Sequence, residues 1–214
     1  MKNKYKLAEL YELSKILRKK IVEISFHAKA HHIGSELSCI DILVTLYFDF
    51  MKLNINKKNY INRDYFILSK GHAALALYTV LMKKGFFSEN FLKNQFLTNG
   101  GILGGHPDIN IKHGIEISTG SLGQGLSVGA GLALGIKKDK GKNKTIVLLS
   151  DGELNEGMIW EAVMFSSHHK LDNLICIIDC NNLQGYGTTD SVLNLKPLIK
   201  KFKSFGWSTF SVDG

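Results

Sequence analysis

The spacing of apolar positions changes along this chain, and the change predicts an α/β fold. Apolar side chains recur at roughly helical intervals over residues 5–26 and predict an amphipathic helix. A histidine-glycine loop follows at 31–34, and a second helix is expected to begin at Ser38 or Asp41. Short continuous apolar runs predict buried strands at 65–68, 145–149 and 174–178. Further helices are expected at 73–84, 125–136, 158–169 and from Pro197 onward, with short strands at 115–118 and 207–212.

The clearest supersecondary unit lies between residues 145 and 182. Strand 145–149, loop 151–157, helix 158–169 and strand 174–178 together form a βαβ crossover, which is nearly always right-handed between parallel strands. Strands that alternate with helices are typical of a mainly parallel sheet covered by helices on both faces. We therefore expect residues 1–214 to form one doubly wound α/β domain.

Charge and composition exclude several classes of protein. The net charge is +8, from 27 lysines and arginines against 19 acidic residues, but Arg18 and Arg63 are the only arginines. Because nucleic-acid readers rely on arginine forks and aromatic stacking platforms, we expect no nucleic-acid partner. The first 25 residues contain no continuous apolar stretch, and the apolar window 122–136 is too short and too rich in glycine to span a bilayer. We therefore expect a protein that does not associate with a membrane. Three cysteines, an odd number, argue against a disulfide scaffold and fit the reducing cytoplasm.

Two oxygen-bearing side chains directly follow neighbouring strands of the βαβ unit. Asp151 comes after the first strand and Asn181 after the second, about 30 positions later. Ligands of open α/β sheets bind at the carboxyl ends of strands, and the crossover helix brings these two ends to the same edge. A carboxylate and an amide oxygen suit Mg²⁺ or Ca²⁺, and Gly152 allows the backbone to approach a phosphate closely. The alternative is that the two positions are ordinary turns that end strands.

Three of the eight histidines stand beside glycines in predicted loops, namely His32, His72 and His106. A neutral imidazole in such a loop can donate to an anion or exchange protons. Their spacing is not that of a zinc site. Taken singly, each is more often a surface or core histidine than a catalytic one.

Several motifs in order resemble those of one enzyme family. Asp151-Gly152 followed by Asn181-Asn182 is similar to the thiamine diphosphate signature, and the runs 62–72, 105–107 and 119–125 resemble transketolases in sequence and spacing. The resemblance covers nearly the whole chain. It points to the diphosphate-binding half, especially the N-terminal subunit of transketolases that are split into two chains.

The resemblance implies a role for individual positions. Asp151, the side chain of Asn181 and the carbonyl of Leu183 would bind the metal ion, which is Mg²⁺ or, in its place, Ca²⁺ or Mn²⁺. His32, His72 and His106 match histidines that line the family's active site as catalytic residues. The positions expected to contact thiamine diphosphate are His72, Gly120, Leu122, Gly152 and Asn181.

One further position and two departures complete the comparison with the family pattern. Glu156 matches a glutamate at the family's subunit contact, where it couples two active sites. Ser150 replaces the first glycine of the signature, and we expect the site to tolerate it because serine fits a strand end unless φ is positive. His31 stands where a glycine is common.

The implied function is the transfer of a two-carbon ketol unit from a ketose phosphate to an aldose phosphate, as in the pentose phosphate pathway. The cofactor acts as electron sink, while the protein supplies position, charge neutralisation and proton transfer. The family's glutamate that activates the cofactor lies on a pyrimidine-binding domain that this chain lacks. A C-terminal subunit is therefore expected as partner, with two copies of each chain in a two-fold symmetric assembly, and the helix 125–135 and the loop at Glu156 as contact surfaces.

Three alternatives remain open at this point. The chain resembles, less closely, other thiamine diphosphate enzymes such as deoxyxylulose-phosphate synthase or a dehydrogenase component. A nicotinamide-binding domain is a second alternative, although Gly123, Gly125 and Gly129 are one residue off its glycine motif. The third is a non-catalytic fragment that retains the fold, because the chain ends at 212–214 where the family continues with further helices.

Overall fold

Three parallel strands form the central sheet of the computed structural model, which describes residues 5–53 and 63–213. They are β1 (Tyr65–Leu68), β2 (Thr145–Ser150) and β3 (Leu174–Asp179), in the order β1-β2-β3. β2 pairs in parallel with both neighbours, from Tyr65 opposite Thr145 to Ser150 opposite Asp179. The three strands predicted from apolar runs are therefore confirmed, and so is the βαβ crossover between β2 and β3.

Helices connect and flank these strands. In chain order they are α1 (Leu7–Ala28), α2 (Ile33–Ser38), α3 (Ile40–Thr45), α4 (Ala74–Lys84), α5 (Glu89–Gln95), α6 (Gln124–Lys138), α7 (Gly157–His168), α8 (Thr189–Val192) and α9 (Leu198–Ser204). Single turns of other helix types lie at Leu46–Phe50, Gly71–Ala73, Ile111–His113 and Gly152–Asn155. A two-stranded antiparallel hairpin, β4 (Leu183–Gln184) with β5 (Gly187–Thr188), follows the central sheet.

Both faces of the sheet are covered, as expected for a doubly wound fold. Successive strand side chains point to opposite faces, so Phe66 and Leu148 pack with α1, α3 and α4, whereas Ile67 and Val147 pack with α6, α7 and α9. The side chains of β2 are buried on both faces. Burial on both faces explains why the strands appear in the sequence as continuous apolar runs rather than alternating ones.

The glycines of α6 allow this helix to lie close to the sheet. A Cβ atom on Gly129 would lie 2.4 Å from Cγ2 of Val147, and one on Gly125 would lie 2.3 Å from Oγ of Ser69. Gly131 and Gly135, on the other side of the helix, have no atom within 4 Å of an added Cβ. The small residues of α6 thus serve packing within the chain, and only its outer face is free for the predicted subunit contact.

Two segments predicted as strands do not join the sheet. Residues 115–118 make only an isolated antiparallel bridge between Asn110 and Ile115. Residues 207–212 contain no strand, since Trp207 is anchored to the backbone of α7 by a 3.0 Å bond from Nε1 to the carbonyl of Val163, and Phe210 is 90% exposed. An extended run needs a paired neighbour and a buried face to form a strand, and these segments lack the pairing.

The second helical region begins earlier than predicted. α2 starts at Ile33, with His32 at its N-cap, and Cys39 separates it from α3. The second half of the predicted loop at 31–34 is therefore the first turn of a helix. Within the described residues no helix is long and apolar enough to cross a membrane, and the three cysteines are free. Asn62, part of one family-like run, lies outside the described residues.

Candidate functional site

The loops that follow the three parallel strands meet at one edge of the sheet. Backbone hydrogen bonds join them: Ser69 N–H donates to the carbonyl of Leu148 at 2.9 Å, and Asp151 N–H donates to that of Asp179 at 3.2 Å. The backbone N–H of Asn182 donates to Oδ2 of Asp151 at 2.7 Å. Asp151 and the turn at Asn181 are thus adjacent, as predicted from the parallel topology.

Asp151 is a buried carboxylate whose partners are backbone groups. Oδ1 accepts from the N–H of Gly152 at 2.9 Å and Oδ2 from Asn182. Burial raises its pKa above the ordinary value, and these two hydrogen bonds oppose the rise only in part. Among the residues that the structure describes, Asp151 forms no ion pair. A buried carboxylate without a cationic partner is unfavourable, and a bound cation would relieve that cost.

The other two predicted metal ligands lie in the turn beside Asp151. Oδ1 of Asn181 accepts from the N–H of Leu183 at 2.9 Å, and Leu183 begins the hairpin strand β4. One carboxylate, one amide and one carbonyl are hard oxygen donors of the kind Mg²⁺ and Ca²⁺ take, usually completed by water and phosphate. In residues 5–53 and 63–213, no group of three or more His, Cys, Asp or Glu is arranged to hold a metal. The donor set of this turn, which includes an amide and a carbonyl, fits a hard cation.

Gly152 and Gln184 pack against each other next to Asp151. A Cβ atom on Gly152 would lie 2.8 Å from Cβ of Gln184, so the glycine is needed for this packing in addition to any approach by a phosphate. Nε2 of Gln184 is buried without a hydrogen-bond partner in the described part of the chain. Because buried donors are nearly always satisfied, this amide is available to an anion bound at the same edge.

Glu153 joins the site loops from within and was not singled out from the sequence. It is fully buried, and its carboxylate accepts from Oγ of Ser69, from the N–H of Gly123 at 2.8 Å and from the N–H of Ser150 at 3.2 Å. Burial raises its pKa, and these hydrogen bonds oppose the rise. A glutamate two residues after Asp151 gives no sequence signal of this role, because its three partners come from three separate segments.

The three predicted histidines form one cluster. The ring centroids of His32 and His72 lie 5.6 Å apart, and those of His32 and His106 lie 5.8 Å apart. His32 is at the start of α2 and His72 is in the turn after β1, whereas His106 lies in the loop before Gly120. The cluster lies at the strand-end edge, because His72 belongs to the turn that follows β1.

Burial, together with the positive charge of Lys70 and the neighbouring histidines, lowers the pKa of His72 to about 4. Burial also lowers the pKa of His32, with His106 and His31 adding to the effect. His72 is therefore neutral at physiological pH. A neutral imidazole has one ring nitrogen that donates a hydrogen bond and one that accepts, so it can bond to a sugar hydroxyl in either direction.

The predicted cofactor positions at 120–122 lie beside this cluster. A Cβ atom on Gly120 would lie 3.3 Å from the ring of His106, and one on Gly71 would lie 2.9 Å from the N of Gly120. Leu122 is half-buried in the same loop. The loop that carries Gly120 therefore packs closely on both the His72 turn and the His106 ring.

Glu156, the predicted subunit-contact residue, lies at the N-cap of α7 and is exposed. Its Cβ packs against Gly123, where an added Cβ would lie 2.8 Å away, and Gly123 has the left-handed φ of 88° that favours glycine. Glu156 is thus held next to the site loops while part of its surface remains accessible. Ser150, the departure from the signature, ends β2 without a positive φ.

Comparison with known proteins gives consistent matches. The family described as "Transketolase, thiamine diphosphate binding domain" matches residues 11–214. An apulose-4-phosphate transketolase subunit of Phocaeicola vulgatus is 47% identical over 197 residues, covering 92% of this chain and 69% of that protein. The 6-deoxy-6-sulfo-D-fructose transketolase subunit SqwG of Clostridium sp. is 38% identical over 206 residues, covering 96% and 74%.

Solved structures give the same result for the fold. The transketolase of Campylobacter jejuni superposes with a TM-score of 0.87 and 32% identity over 94% of this chain. This chain spans only 33% of that protein. The match therefore covers one section of a full-length transketolase, whereas the two relatives described above, of which this chain covers 69% and 74%, are named as subunits.

Proposed function

Because this chain belongs to the transketolase family, as its N-terminal thiamine diphosphate-binding section, we propose that it is one subunit of a two-chain enzyme that transfers two-carbon ketol units. The donor would be a ketose phosphate and the acceptor an aldose phosphate. The observation that carries the proposal is the strand-end edge itself. There Asp151 accepts from the backbone of Asn182, and the turn after β1, which leads to His72, is bonded to β2. A nicotinamide-binding domain is not supported, because the matching family is a thiamine diphosphate-binding one and the relatives are named as transketolases.

The strand-end edge would hold the diphosphate end of the cofactor. Asp151, Asn181 and the carbonyl of Leu183 would bind Mg²⁺, which neutralises the diphosphate. The unpartnered Nε2 of Gln184 would donate to the same anion. When bound, thiamine diphosphate supplies the electron sink for cleavage of the bond next to a ketose carbonyl.

The histidine cluster would bind the sugar and move protons. His72 is neutral because its pKa is lowered to about 4, so it can accept a proton from a donor hydroxyl without first losing one. The ring of His32 is near those of both His72 and His106 and can orient the adjacent hydroxyls. General acid–base catalysis by positioned imidazoles typically contributes 10²–10⁴-fold to a rate, as an order of magnitude.

The partner would be a second chain that carries the pyrimidine-binding domain. Relatives named as subunits support a two-chain enzyme. The accessible part of Glu156 and the outer face of α6 at Gly131 and Gly135 are available for the contact. We propose two copies of each chain with two-fold symmetry and a place in cytoplasmic sugar-phosphate metabolism. The relatives' names mention different ketoses, so the donor sugar of this chain has to be determined by assay.

The experiment combines the purified chain with its C-terminal partner chain. We expect no transfer from xylulose 5-phosphate to ribose 5-phosphate by the chain alone, and turnover on the order of 10 s⁻¹ once the partner, Mg²⁺ and thiamine diphosphate are added. Asp151→Ala should abolish Mg²⁺-dependent cofactor binding, measured by calorimetry on the two-chain complex. The control is Asp172→Ala, because Asp172 is an exposed residue paired with Lys137.

Three outcomes would contradict the proposal. Turnover by the chain alone would overturn the need for a partner. Equal cofactor affinity of Asp151→Ala and the parent would overturn the metal site. Failure of the complex to transfer from any of a panel of ketose phosphates would favour the non-catalytic fragment.

A further inference from the structure

A buried ion pair lies beneath the turn that carries Asn181. Lys70 is completely buried, and its Nζ lies 2.6 Å from Oδ2 of Asp179, the last residue of β3. Lys70 belongs to the turn after β1, so the pair ties together the ends of the two outer strands. An ion pair at such depth is costly to form unless the carboxylate is fully hydrogen-bonded, so the other oxygen of Asp179 needs a donor as well.

That other oxygen is bonded by a serine from a distant helix. Oγ of Ser38, the last residue of α2, donates to Oδ1 of Asp179 at 2.9 Å. Nδ2 of Asn181 in turn donates to Oγ of Ser38 at 3.3 Å. Lys70, Asp179, Ser38 and Asn181 therefore form a continuous chain of hydrogen bonds, which we call the Ser38 relay.

The direction of each bond in the Ser38 relay is fixed by chemistry. An ionised carboxylate paired with Lys70 can only accept, so the single hydroxyl hydrogen of Ser38 must point to Asp179. Because that hydrogen is used, Oγ of Ser38 can only accept from Asn181. Its partner must therefore be the NH₂ group of the amide and not the amide oxygen. The amide oxygen is thereby turned away from Ser38.

The consequence concerns the metal ligand itself. With Nδ2 held by Ser38, Oδ1 of Asn181 faces the N–H of Leu183 at 2.9 Å, in the turn whose backbone also bonds to Asp151. The N–H of Leu183 favours the same orientation, and Ser38 adds the bond that holds the other end of the amide. An amide that is less firmly held can rotate by half a turn and present two N–H groups to a cation, which repels it. The two ends of an amide differ little in shape, so packing alone would not select the correct one.

We infer that Ser38, supported by the Lys70–Asp179 ion pair, is a positioning residue that orients the amide oxygen of Asn181 toward the metal ion. This inference rests on the proposed function, because it takes Asp151 and Asn181 as the metal site. Lys70 has a second effect in the same place. It neutralises Asp179, which would otherwise be an unpaired carboxylate near Asp151 and would compete with it for the cation.

The test measures the metal dependence of cofactor binding in the two-chain complex. Mg²⁺ is titrated at fixed thiamine diphosphate by calorimetry, and the unfolding temperature of the cofactor-free chain is recorded for each variant. Ser38→Ala removes the hydroxyl, and Ser38→Thr keeps it. Ser166→Ala is the matched control, because its buried Oγ donates to the carbonyl of Ala162 at 2.7 Å in α7, away from the site.

We expect Ser38→Ala to weaken the apparent Mg²⁺ affinity about tenfold, the lower end of what loss of a residue that supports a metal ligand usually costs. Ser38→Thr should restore most of the affinity, and Ser166→Ala should leave it unchanged. The unfolding temperature of cofactor-free Ser38→Ala should fall below that of Ser166→Ala, because Oδ1 of Asp179 loses its donor. The Mg²⁺ affinities are therefore compared at a temperature at which every variant is folded.

Asp151→Ala separates failure of this inference from failure of the proposed site. If Asp151→Ala abolishes Mg²⁺-dependent binding while Ser38→Ala binds Mg²⁺ as the parent does, the inference is wrong and the site stands. If Ser38→Thr fails to restore a lost affinity, Ser38 has a packing role and the inference is also wrong. If Asp151→Ala binds Mg²⁺ and the cofactor as the parent does, the proposed metal site is wrong, and the inference about Ser38 is wrong with it.

Discussion

Glu36 is a buried carboxyl in α2 whose ionisation should destabilise the chain. It is 2% exposed and accepts one side-chain hydrogen bond, from Oγ of Ser25 at 3.1 Å. Burial raises its pKa to about 7 from an ordinary value of 4.5, and the bond from Ser25 opposes the rise only in part. Replacement by glutamine removes the charge but keeps the shape and an oxygen that can accept from Ser25.

The sign follows from proton binding. Because the folded chain holds the proton of Glu36 up to about pH 7 while the unfolded chain loses it near 4.5, stability falls as pH rises through this window. One pKa unit corresponds to about 1.36 kcal/mol, so the shift sets a ceiling of roughly 3 kcal/mol on the penalty above pH 7. Glu36→Gln should therefore unfold with about 2–3 kcal/mol more free energy than the parent at pH 8, and with nearly the same free energy at pH 4.5.

The assay is urea unfolding of the full chain at a series of pH values between 4.5 and 8. His72 also makes stability depend on pH, but in the opposite direction: its lowered pKa makes stability fall as pH drops from 6.5 to about 4. Because both chains retain His72, the difference between Glu36→Gln and the parent reports on Glu36 alone. The control is Glu12→Gln, an exposed partner of Lys15, which should change stability by less than about 0.5 kcal/mol. A Glu36→Gln difference that does not vary with pH would refute the reasoning.

Two further predictions concern α6 and the histidine cluster. Gly125→Ala should destabilise the chain by about 1–3 kcal/mol, because its Cβ would lie 2.3 Å from Oγ of Ser69. Gly131→Ala, in the same helix with nothing within 4 Å, should instead stabilise it by about 0.5–1 kcal/mol in urea unfolding; equal effects of both variants would contradict the packing of α6. NMR titration of the ring nitrogens of His72 should give a pKa of about 4 in the folded chain, because burial and Lys70 disfavour its charged form, whereas titration near 6.5 would show that the ring is solvated.

Hydrophobic pattern alone determined the three central strands and their connection. A run such as 145–149, apolar at nearly every position, has to be buried on both faces, and a parallel sheet covered by helices provides this. The parallel arrangement in turn places strand ends together, so the proximity of Asp151 to the turn at Asn181 followed from the order of elements along the chain. The family-like motifs are also local sequence features, and they identified the three histidines one by one.

Contacts between distant segments were decided only by the tertiary structure. Ser38 and Asn181 are 143 residues apart, and Ser69 and Glu153 are 84 apart, so no local pattern marks either pair. Lys70 could not be recognised as a buried cation, because a lysine in a loop is ordinarily solvated and its burial depends on the carboxylate that β3 brings to it. For residues 207–212, the apolar pattern favoured a strand. A strand also requires a neighbour to pair with, and the presence of that neighbour is a property of the folded chain rather than of the segment.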